Sequence, residues 1–395
     1  MRINLFLENE LNGVIAGFSI KKDKADIFLS SRFKKNRLGK RDREWIRERF
    51  FFYIRHKLLF DKLDTNGVST ARTIAMIFDN EPDDELLIKI SELKNNGLYD
   101  LLFNQSFSEF LVEKIFAQFG ENAFGWFNSK AETVIRTNLL KISRKELAIK
   151  LGKEGYVSDI TDMSPAGIVI TSNTSSLKNS HLFDEGLFEF QDESSQISTL
   201  LINRSSATLF DFCSGGGGKS LAAGSFFKGL KITASDIRSH VFEEIFTRSK
   251  RAGLKIFTKK HNEIKQLFDT VFVDAPCSGS GVLRRNPADR WIIEKKMIDE
   301  LNRTQLKILD NAKHFVRSGG ELIYVTCSFL KDENELIIEE FLKNSKDFSL
   351  ISADVRFREN ISEDIDPDQI VSGSFFRTAP GFQRDIMFGA IMRKN

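Results

Sequence analysis

The first third of the chain carries apolar residues at the spacing of an α-helix. In the stretch DREWIRERFFFYIRHKLLFDKL, apolar side chains recur every three or four positions and share one helix face: Ile46, Phe50, Tyr53, Ile54 and Leu58. The pattern predicts a small helical bundle that extends to about residue 128.

The pattern changes twice further along the chain. Residues 129–200 mix short strand-like runs, such as TVIRTN and GIVIT, with a helix whose start has the capping-box spacing of Ser143 and Glu146. This mixture predicts a small α/β module. From residue 201 to 395, strand-like runs alternate with amphipathic segments of helix length. Such alternation predicts βαβ units, a mostly parallel sheet and helices on both of its faces.

Composition and charge leave the class of protein open. With 395 residues and 41% hydrophobic content, the chain is long enough for more than one domain. The net charge of +3 is small, so a nucleic-acid role would depend on a local patch. Residues 32–57 contain 11 Lys or Arg against 3 Asp or Glu. This basic patch is either a solvated helix face or a nucleic-acid contact surface.

The cysteines indicate a reducing compartment. Cys213, Cys277 and Cys327 are too few and too widely spaced for a disulfide framework or a Cys-x-x-Cys metal site. We therefore expect a reduced, cytoplasmic protein that binds no metal ion. The N-terminus builds no signal-peptide core and no apolar run approaches the length of a membrane span. We accordingly expect a soluble protein without a membrane partner, and a monomer.

The stretch CSGGGGKSLA, residues 213–222, ends its glycine run in Gly-Lys-Ser, like the phosphate loop of nucleoside triphosphatases. That loop requires a glycine six positions before the lysine. Counted back from Lys219, the position is occupied by Cys213. The nearby TVFVDAP offers Asp274 as a magnesium ligand, which keeps the triphosphatase as a minor alternative.

The same glycine loop fits a nucleoside cofactor better. It follows a strand that ends in an acid, and residues without a Cβ allow the backbone to approach a ligand closely. Asp236 ends the next strand, about twenty residues later, where a carboxylate accepts hydrogen bonds from ribose hydroxyls. The spacing fits dinucleotides and S-adenosylmethionine alike, although the glycines do not follow the Gly-x-Gly-x-x-Gly pattern.

Two further segments place a cysteine just beyond a buried strand. VFVDAPCSGSGVLRRNPADRW contains Cys277 after Asp-Ala-Pro, and GGELIYVTCSFLKDENE contains Cys327 after Tyr-Val-Thr. If the two strands are neighbours in one sheet, both thiols open into the same crevice at the carboxyl ends of the strands. The alternative is that each is a small buried apolar residue, as free cysteines usually are.

In this order, DFCSGGGGKS, DAPCSGSG and GGELIYVTCSFLKDENE resemble the signatures of the Sun-type (RsmB- or Fmu-type) RNA cytosine-5 methyltransferases. The resemblance covers residues 134–395, and RLGKRDREWI is similar to the NusB-like helical extension of bacterial members. It implies a Rossmann-like class I methyltransferase domain with a mostly parallel seven-stranded sheet over residues 201–395. The preceding parts would be a NusB-like, RNA-binding helical domain over 1–128 and the small α/β module over 129–200.

The resemblance also implies an activity and a set of site residues. The activity is transfer of a methyl group from S-adenosylmethionine to carbon 5 of cytosine in RNA, with small-subunit ribosomal RNA as the expected substrate. Cys327 would attack carbon 6 of the ring, Cys277 would assist product release, and Asp274 would hydrogen-bond to the cytosine edge near nitrogen 3. The residues implied in cofactor binding are Cys213, Ser214, Gly215, Gly216, Gly217, Gly218, Lys219, Asp236, Asn262 and Asp274. Glu263 is the alternative to Asn262 near the adenine.

Some alternatives remain open on the sequence alone. The charged residues Arg284, Arg285, Asp289 and Arg290 form either a solvated loop or a contact to the RNA backbone. The substrate could be cytosine in DNA, in which case the nucleophile would be the Pro-Cys cysteine, Cys277. The chain could also be a catalytically silent RNA-binding or assembly factor whose basic patch is its functional part.

Overall fold

The computed structural model describes residues 4–63, 70–172, 174–360, 370–381 and 384–395. The chain divides into two compact units. Unit 1 comprises Met1–Lys130 and Leu283–Lys295, and unit 2 comprises Ala131–Val282 and Lys296–Asn395. Within the described ranges, no helix combines the length and the apolar character that a membrane span requires.

Unit 1 is helical, as the periodicity of the sequence predicts. Its described helices are α1 (Leu5–Gly17), α2 (Ala25–Lys35), α3 (Lys40–Arg55), α4 (Lys57–Lys62), α5 (Thr70–Phe78), α6 (Asp84–Asn95), α7 (Leu98–Asn104), α8 (Glu109–Phe119) and α9 (Ala123–Asn128). On α3, Ile46, Phe50 and Ile54 are fully buried, while Tyr53 is partly buried. The predicted apolar face of this helix therefore packs into the core of the unit.

The segment from Leu283 to Lys295 belongs to the helical unit and not to the predicted 201–395 domain. Arg290 is fully buried and donates to the carbonyl oxygen of Phe127 at 3.0 Å and to Oδ1 of Asn128 at 2.6 Å. Trp291 donates from Nε1 to the carbonyl oxygen of Ile54 at 3.1 Å. These long-range hydrogen bonds attach residues 283–295 to unit 1, and this is the physical reason why the segment does not belong with the rest of residues 201–395.

Two arginines of this segment, Arg284 and Arg290, contradict both interpretations of the sequence, which were a solvated loop and a contact to the RNA backbone. Arg284 is 2% exposed and donates to the hydroxyl of Ser129 and the carbonyl oxygen of Lys130, each at 3.0 Å. Arg290 is 0% exposed, and its guanidinium lies 4.0 Å from the ring centroid of Phe107. Neither side chain is solvated or available to a phosphate, because both satisfy internal acceptors of unit 1.

A buried histidine gives unit 1 a predictable response to acid. His56 stacks on Phe103 with ring centroids 3.8 Å apart, and its Nδ1 lies 2.7 Å from the carbonyl oxygen of Phe103. Burial, helped by the nearby charges of Arg290 and Arg55, outweighs the Phe103 hydrogen bond and lowers the pKa of His56 to about 3. The unfolded chain therefore takes up a proton near pH 6.5 while the folded unit stays neutral.

We expect acid to destabilise unit 1 by about 3 kcal/mol between pH 7 and pH 4 through His56 alone. His56→Asn is expected to lower stability at pH 7, because the stacked ring is lost, but to remove most of this pH dependence. All three tryptophans, Trp45, Trp126 and Trp291, lie in unit 1, so urea unfolding followed by their fluorescence reports on this unit. Equal acid sensitivity of the two proteins would contradict the assignment.

Unit 2 begins with a small antiparallel sheet in the order β2-β3-β1-β4. Its elements are β1 (Thr133–Thr137), α10 (Arg144–Lys153), β2 (Ser158–Ile160), β3 (Gly167–Ile170), α11 (His181–Asp184), β4 (Phe188–Phe190) and α12 (Glu193–Ser198). The capping box predicted for Ser143 and Glu146 is present, and α10 begins at the following residue. The α/β character predicted for this region is thus observed.

The second sheet of unit 2 has nine described strands in place of the seven expected. They are β5 (Thr208–Asp211), β6 (Lys231–Ala234), β7 (Ile256–Thr258), β8 (Phe268–Asp274), β9 (Val316–Thr326), β10 (Phe348–Ile351), β11 (Val371–Ser372), β12 (Phe375–Arg377) and β13 (Phe388–Lys394). Five neighbours, β7-β6-β5-β8-β9, run parallel, and β13 pairs antiparallel with β9, β10 and β12. The short β11–β12 pair extends this edge beyond the expected seven strands.

Both faces of the large sheet are covered. Its helices are α13 (Gly218–Phe226), α14 (Val241–Ala252), α15 (Lys295–Ala312), α16 (Glu335–Asn344) and α17 (Ala353–Asn360). On β8, Phe272 belongs to one apolar cluster, whereas Val271 and Val273 belong to another. Because successive side chains of a strand point to opposite faces, the sheet is buried on both sides. Polar side chains that could bind a ligand or take part in a reaction are therefore expected at the ends of the strands.

Candidate active site

The loops that follow β5, β6, β8 and β9 emerge at one edge of the sheet, because these strands are parallel neighbours. Asp211 ends β5 and Asp274 ends β8. Asp274 lies opposite Val325 of β9, two residues before Cys327. The structure thus brings the predicted site residues of these four strands to the same edge.

The thiols of Cys277 and Cys327 lie 3.4 Å apart, sulfur to sulfur, and both are free. The two cysteine-bearing strands are neighbours, as the prediction required, and their thiols lie side by side. That both thiols open into one crevice stays a prediction. The hydrogen bond with Cys327, together with burial and the nearby Glu333, raises the pKa of Cys277 well above its usual value. Cys277 therefore holds its proton at neutral pH and can donate it in a hydrogen bond to the other sulfur.

A buried glutamate that sequence reasoning left without a role fixes the Cys277 loop. Glu333 is 0% exposed and accepts a hydrogen bond from the backbone N–H of Ser278 at 2.8 Å and another from the Ser278 hydroxyl. Nε2 of Gln305 donates to the same carboxylate at 3.1 Å and to the carbonyl oxygen of Pro276 at 3.0 Å. The residues on both sides of Cys277 are therefore held in place.

The next residue, Asn334, holds the residues on both sides of Cys327 in place. Its Oδ1 accepts from the hydroxyl of Thr326 at 2.6 Å, and its Nδ2 donates to the carbonyl oxygen of Ser328 at 2.9 Å. Thr326 and Ser328 flank Cys327 directly. The signal that could have revealed both residues is the pair of polar positions in LKDENE immediately after a buried strand.

An ion pair joins the glycine loop to the strand that carries Cys277. Nζ of Lys219 lies 2.6 Å from Oδ2 of Asp274. Burial alone would lower the pKa of Lys219, but the charge and hydrogen bond of Asp274 outweigh it and raise the pKa. Lys219 is thus a fixed cation beside Asp274 and within electrostatic range of Cys327. Within the described ranges, Oδ1 of Asp274 makes no hydrogen bond.

The glycine loop is shaped by backbone conformations that favour glycine. Gly215 and Gly217 have φ values of 50° and 76°. The backbone N–H and hydroxyl of Ser214 donate to the carbonyl oxygen of Ser235 at 2.9 and 3.0 Å, and the N–H of Gly215 donates to Oδ2 of Asp236 at 2.9 Å. The loop after β5 is therefore tied to the end of β6.

Asp236 remains charged in this setting. Burial tends to raise the pKa of its carboxyl group, but hydrogen bonds from Arg238 and Gly215 outweigh this effect and lower the pKa. The next residue, Ile237, is an apolar side chain 92% exposed to solvent. Sequence reasoning missed Ile237, although its place directly after the acid could have indicated it.

The remaining predicted cofactor residues lie on the same edge with different degrees of burial. Cys213 is partly buried, and burial is the main cause of a raised pKa of its thiol. Asn262 is exposed in a short 3₁₀ turn after β7, beside His261, whose Nε2 lies 2.9 Å from the carbonyl oxygen of Phe212. The carboxylate of its alternative, Glu263, accepts from the backbone N–H of Lys260 at 3.0 Å.

Two buried polar atoms beneath the glycine loop show how this edge fits a ligand. Among the described residues, Oδ1 of Asp211 and the hydroxyl of Ser235 have no hydrogen-bond partner. Buried polar atoms are normally paired. Burial raises the pKa of Asp211 to about 7, with the hydroxyl of Ser220 opposing the shift and Asp274 adding to it. The unpaired atoms, the glycines and the charged Asp236 together suit a nucleoside with polar groups.

Comparisons with known proteins agree with this arrangement. Residues 198–392 match the model of the family described as 16S rRNA methyltransferase RsmB/F. The probable ribosomal RNA small subunit methyltransferase B of Bacillus subtilis is 30% identical over 243 residues, which cover 59% of this chain and 53% of that protein. The ribosomal RNA small subunit methyltransferase B of an Escherichia coli strain is 35% identical over 176 residues, which cover 42% and 41% of the two proteins. The matches therefore span about half the length of these relatives or less.

The crystal structure of a methyltransferase homologue from Pyrococcus horikoshii has the same fold, with a TM-score of 0.61 and 24% identity over 75% of this chain and 98% of that one. The nine-stranded sheet and its polar edge thus define a class I methyltransferase fold. Within that class, residues 198–392 match the RsmB/F methyltransferase family.

Proposed function

We propose that this protein transfers a methyl group from S-adenosylmethionine to carbon 5 of a cytosine in RNA. The observation that carries the proposal is the pair of free thiols 3.4 Å apart at the ends of neighbouring strands. Carbon 5 of cytosine is a poor nucleophile until another nucleophile adds to carbon 6, and a thiolate suits that addition. The match to the 16S rRNA methyltransferase family and the two relatives known as ribosomal RNA small subunit methyltransferase B support ribosomal RNA of the small subunit as the substrate class.

Cys327 is the proposed nucleophile. After giving its proton to water, its sulfur adds to carbon 6, and the electron pair of the carbon 5–carbon 6 double bond becomes available at carbon 5 to take the methyl group. The Cys277 thiol stabilises the Cys327 thiolate beforehand by donating a hydrogen bond to it. Asp274, with Oδ2 held by Lys219, presents its other oxygen to the cytosine edge near nitrogen 3, where it accepts a hydrogen bond from the exocyclic amino group and orients the ring for the addition.

Cys277 is the proposed residue for product release. After methylation, the proton on carbon 5 leaves, the double bond re-forms and the sulfur of Cys327 departs from carbon 6. The hydrogen bond with Cys327 is the main cause that raises the pKa of Cys277. Once the Cys327 sulfur is bonded to carbon, this contribution is lost, so Cys277 gives up its proton to water more easily, and the resulting thiolate takes the proton from carbon 5.

The residues of the glycine loop and the end of β6 fit S-adenosylmethionine, which supplies the methyl group. Asp236 would accept hydrogen bonds from the ribose, since its charge is retained and its neighbour Arg238 has a side chain 60% exposed that can turn aside. Ile237 offers an apolar surface to the adenine, and Asn262 a polar contact. The unpaired Oδ1 of Asp211 and hydroxyl of Ser235 would meet polar groups of the donor.

The exposed part of the basic patch is the proposed RNA contact of unit 1. Some basic residues of the patch are engaged internally, such as Arg49, which ion-pairs with Asp79. The end of α2 and the first turn of α3 carry the basic residues with exposed side chains: Lys34, Lys35, Arg37, Lys40, Arg41 and Arg43. Clustered cations of this kind bind the phosphate backbone.

The direct test uses purified protein, S-adenosylmethionine with a labelled methyl group, and small-subunit ribosomal RNA transcribed in vitro. We expect label to enter the RNA and to be recovered as 5-methylcytidine after digestion to nucleosides. DNA of the same sequence serves as the matched control and should remain unlabelled. Preferential labelling of the DNA would contradict the RNA assignment. Absence of both transfer and S-adenosylmethionine binding by calorimetry would instead identify a silent RNA-binding factor.

A further inference from the structure

We propose that Arg248, held by Glu189 of the small antiparallel sheet, is a positioning residue for the glycine loop and sets the affinity for S-adenosylmethionine. Arg248 lies on α14 and Glu189 on β4. Neither belongs to the motifs that the sequence comparison singled out for cofactor binding. This inference rests on the proposed function, because it assigns the glycine loop to the methyl donor.

The contact to the loop is short and charge-assisted. Nη1 of Arg248 donates to the carbonyl oxygen of Gly216 at 2.6 Å. A Cβ atom at position 216 would come within 2.5 Å of Oε1 of Glu244 and 3.1 Å of Nη1 of Arg248. The backbone of the loop thus passes directly against the guanidinium, and glycine permits this approach.

The position of Arg248 is itself fixed by a buried carboxylate. Nε and Nη2 of Arg248 lie 3.2 and 3.1 Å from Oε2 of Glu189, whose side chain is 8% exposed. Arg251 pairs with Oε1 of the same carboxylate and stacks on Phe183, with its guanidinium 3.9 Å from the ring centroid. One carboxylate therefore orients two arginines of α14, and only Arg248 of the two contacts the glycine loop.

The loop needs such a contact because of its composition. Residues 215–218 are four consecutive glycines, and glycine loses more conformational freedom on ordering than any other residue. The ties from Ser214 and Gly215 reach the end of β6, and a turn bond runs from the backbone N–H of Gly217 to the carbonyl oxygen of Ser214 at 2.9 Å, so that the carbonyl group of Gly216 is left to a side-chain donor. Within the described ranges, the donor to the carbonyl oxygen of Gly216 is Arg248. Without it, S-adenosylmethionine binding would have to order the centre of the loop.

A loop that is already ordered improves binding of the donor and not the chemistry at the thiols. Arg248→Gln is therefore expected to weaken S-adenosylmethionine binding about tenfold, which corresponds to about 1.4 kcal/mol. KM for the donor should rise by the same factor, while kcat at saturating donor falls less than twofold. Amide hydrogen exchange of residues 214–218, measured without ligand, should be at least about tenfold faster.

Arg251→Gln is the matched control. It changes the same residue type three positions further along the same helix and breaks a pair with the same carboxylate. It leaves the bond to Gly216 in place, so donor affinity and exchange of residues 214–218 should stay within about twofold of the natural protein. Arg248→Lys keeps the charge, but a lysine cannot donate to Glu189 and to the carbonyl oxygen of Gly216 at the same time. This variant is expected to give donor affinity and exchange rates between those of the natural protein and Arg248→Gln. It replaces the Gln variant if that protein does not fold by circular dichroism.

The results separate this inference from the proposed function. If the natural protein binds no S-adenosylmethionine, the proposed function fails, while the exchange experiment still decides whether Arg248 orders the loop. If the natural protein binds the donor and Arg248→Gln matches it in both affinity and exchange, the positioning role is overturned. Equal losses in Arg248→Gln and Arg251→Gln would also overturn it, because they would point to α14 packing in general.

Discussion

Replacement of Cys327 by alanine is expected to reduce methyl transfer by a factor on the order of 10³ or more and to prevent any covalent protein–RNA adduct. Replacement of Cys277 by alanine is expected to have the opposite signature. In that variant the adduct should accumulate and survive denaturing electrophoresis, while turnover falls by a similar factor. The same substitution is therefore expected to have two different outcomes: no adduct when Cys327 is replaced, and a trapped adduct when Cys277 is replaced.

The reason lies in the order of the two proposed steps. Cys327 is needed to form the bond to carbon 6, so its removal stops the reaction before any bond exists. Cys277 acts after methylation, when the sulfur of Cys327 must leave, so its removal stops the reaction at the bonded stage. Their separation of 3.4 Å places both thiols within reach of one ring.

Cys213→Ala provides a control, because this third free cysteine lies under the glycine loop and is assigned no covalent step. It should form no stable adduct. Cys327→Ala could instead form an adduct that is lost when Cys277 is also replaced by alanine. That result would make Cys277, the cysteine of the Pro-Cys motif, the nucleophile. Full methylation by Cys327→Ala would refute the covalent mechanism.

Arg290→Met is expected to lower the free energy of unfolding of unit 1 by about 3–5 kcal/mol. The guanidinium of Arg290 is fully buried and bonded to the carbonyl oxygen of Phe127, to Asn128 and, at 3.2 Å, to the carbonyl oxygen of Arg55. Methionine fills a similar space but donates nothing. These acceptors, and the carbonyl oxygen of Ser106 at 3.5 Å, would then lose this donor, at a cost of about 1–3 kcal/mol for each buried one.

Arg41→Met is the matched control for this substitution. Arg41 lies on α3 of the same unit with an exposed side chain, and its replacement should change stability by less than about 0.5 kcal/mol. Urea unfolding followed by tryptophan fluorescence reports on unit 1 in both variants. Coincident unfolding curves for Arg290→Met and the natural protein would contradict the structural role of the guanidinium.

Much of the candidate site follows from local pattern. Alternation of strands and helices predicts a parallel sheet, and a parallel sheet places the residues after each strand at one edge. That reasoning places Asp274, Cys277 and Cys327 at this edge from the sequence alone. It does not predict the extra strands β11 and β12, because two or three residues are too few to show a period.

The residues that escaped prediction owe their roles to distant partners. Arg284 and Arg290 sit in a polar stretch that is typical of a surface loop, and their burial depends on carbonyl groups supplied by residues 55–130. Glu333 and Asn334 are adjacent in sequence but bond to two different cysteine loops. Arg248 lies 32 residues from the carbonyl group that it contacts. No local periodicity encodes such pairings.

The assignment of Leu283–Lys295 to the helical unit also bears on how the chain can be divided. Cleavage after Lys130 would not yield a self-sufficient catalytic fragment. The fragment would retain the thirteen residues 283–295, whose arginines would be left facing solvent with an apolar tryptophan beside them. Removal of the helical part from this chain would therefore also have to change a stretch only six residues beyond Cys277 in the sequence.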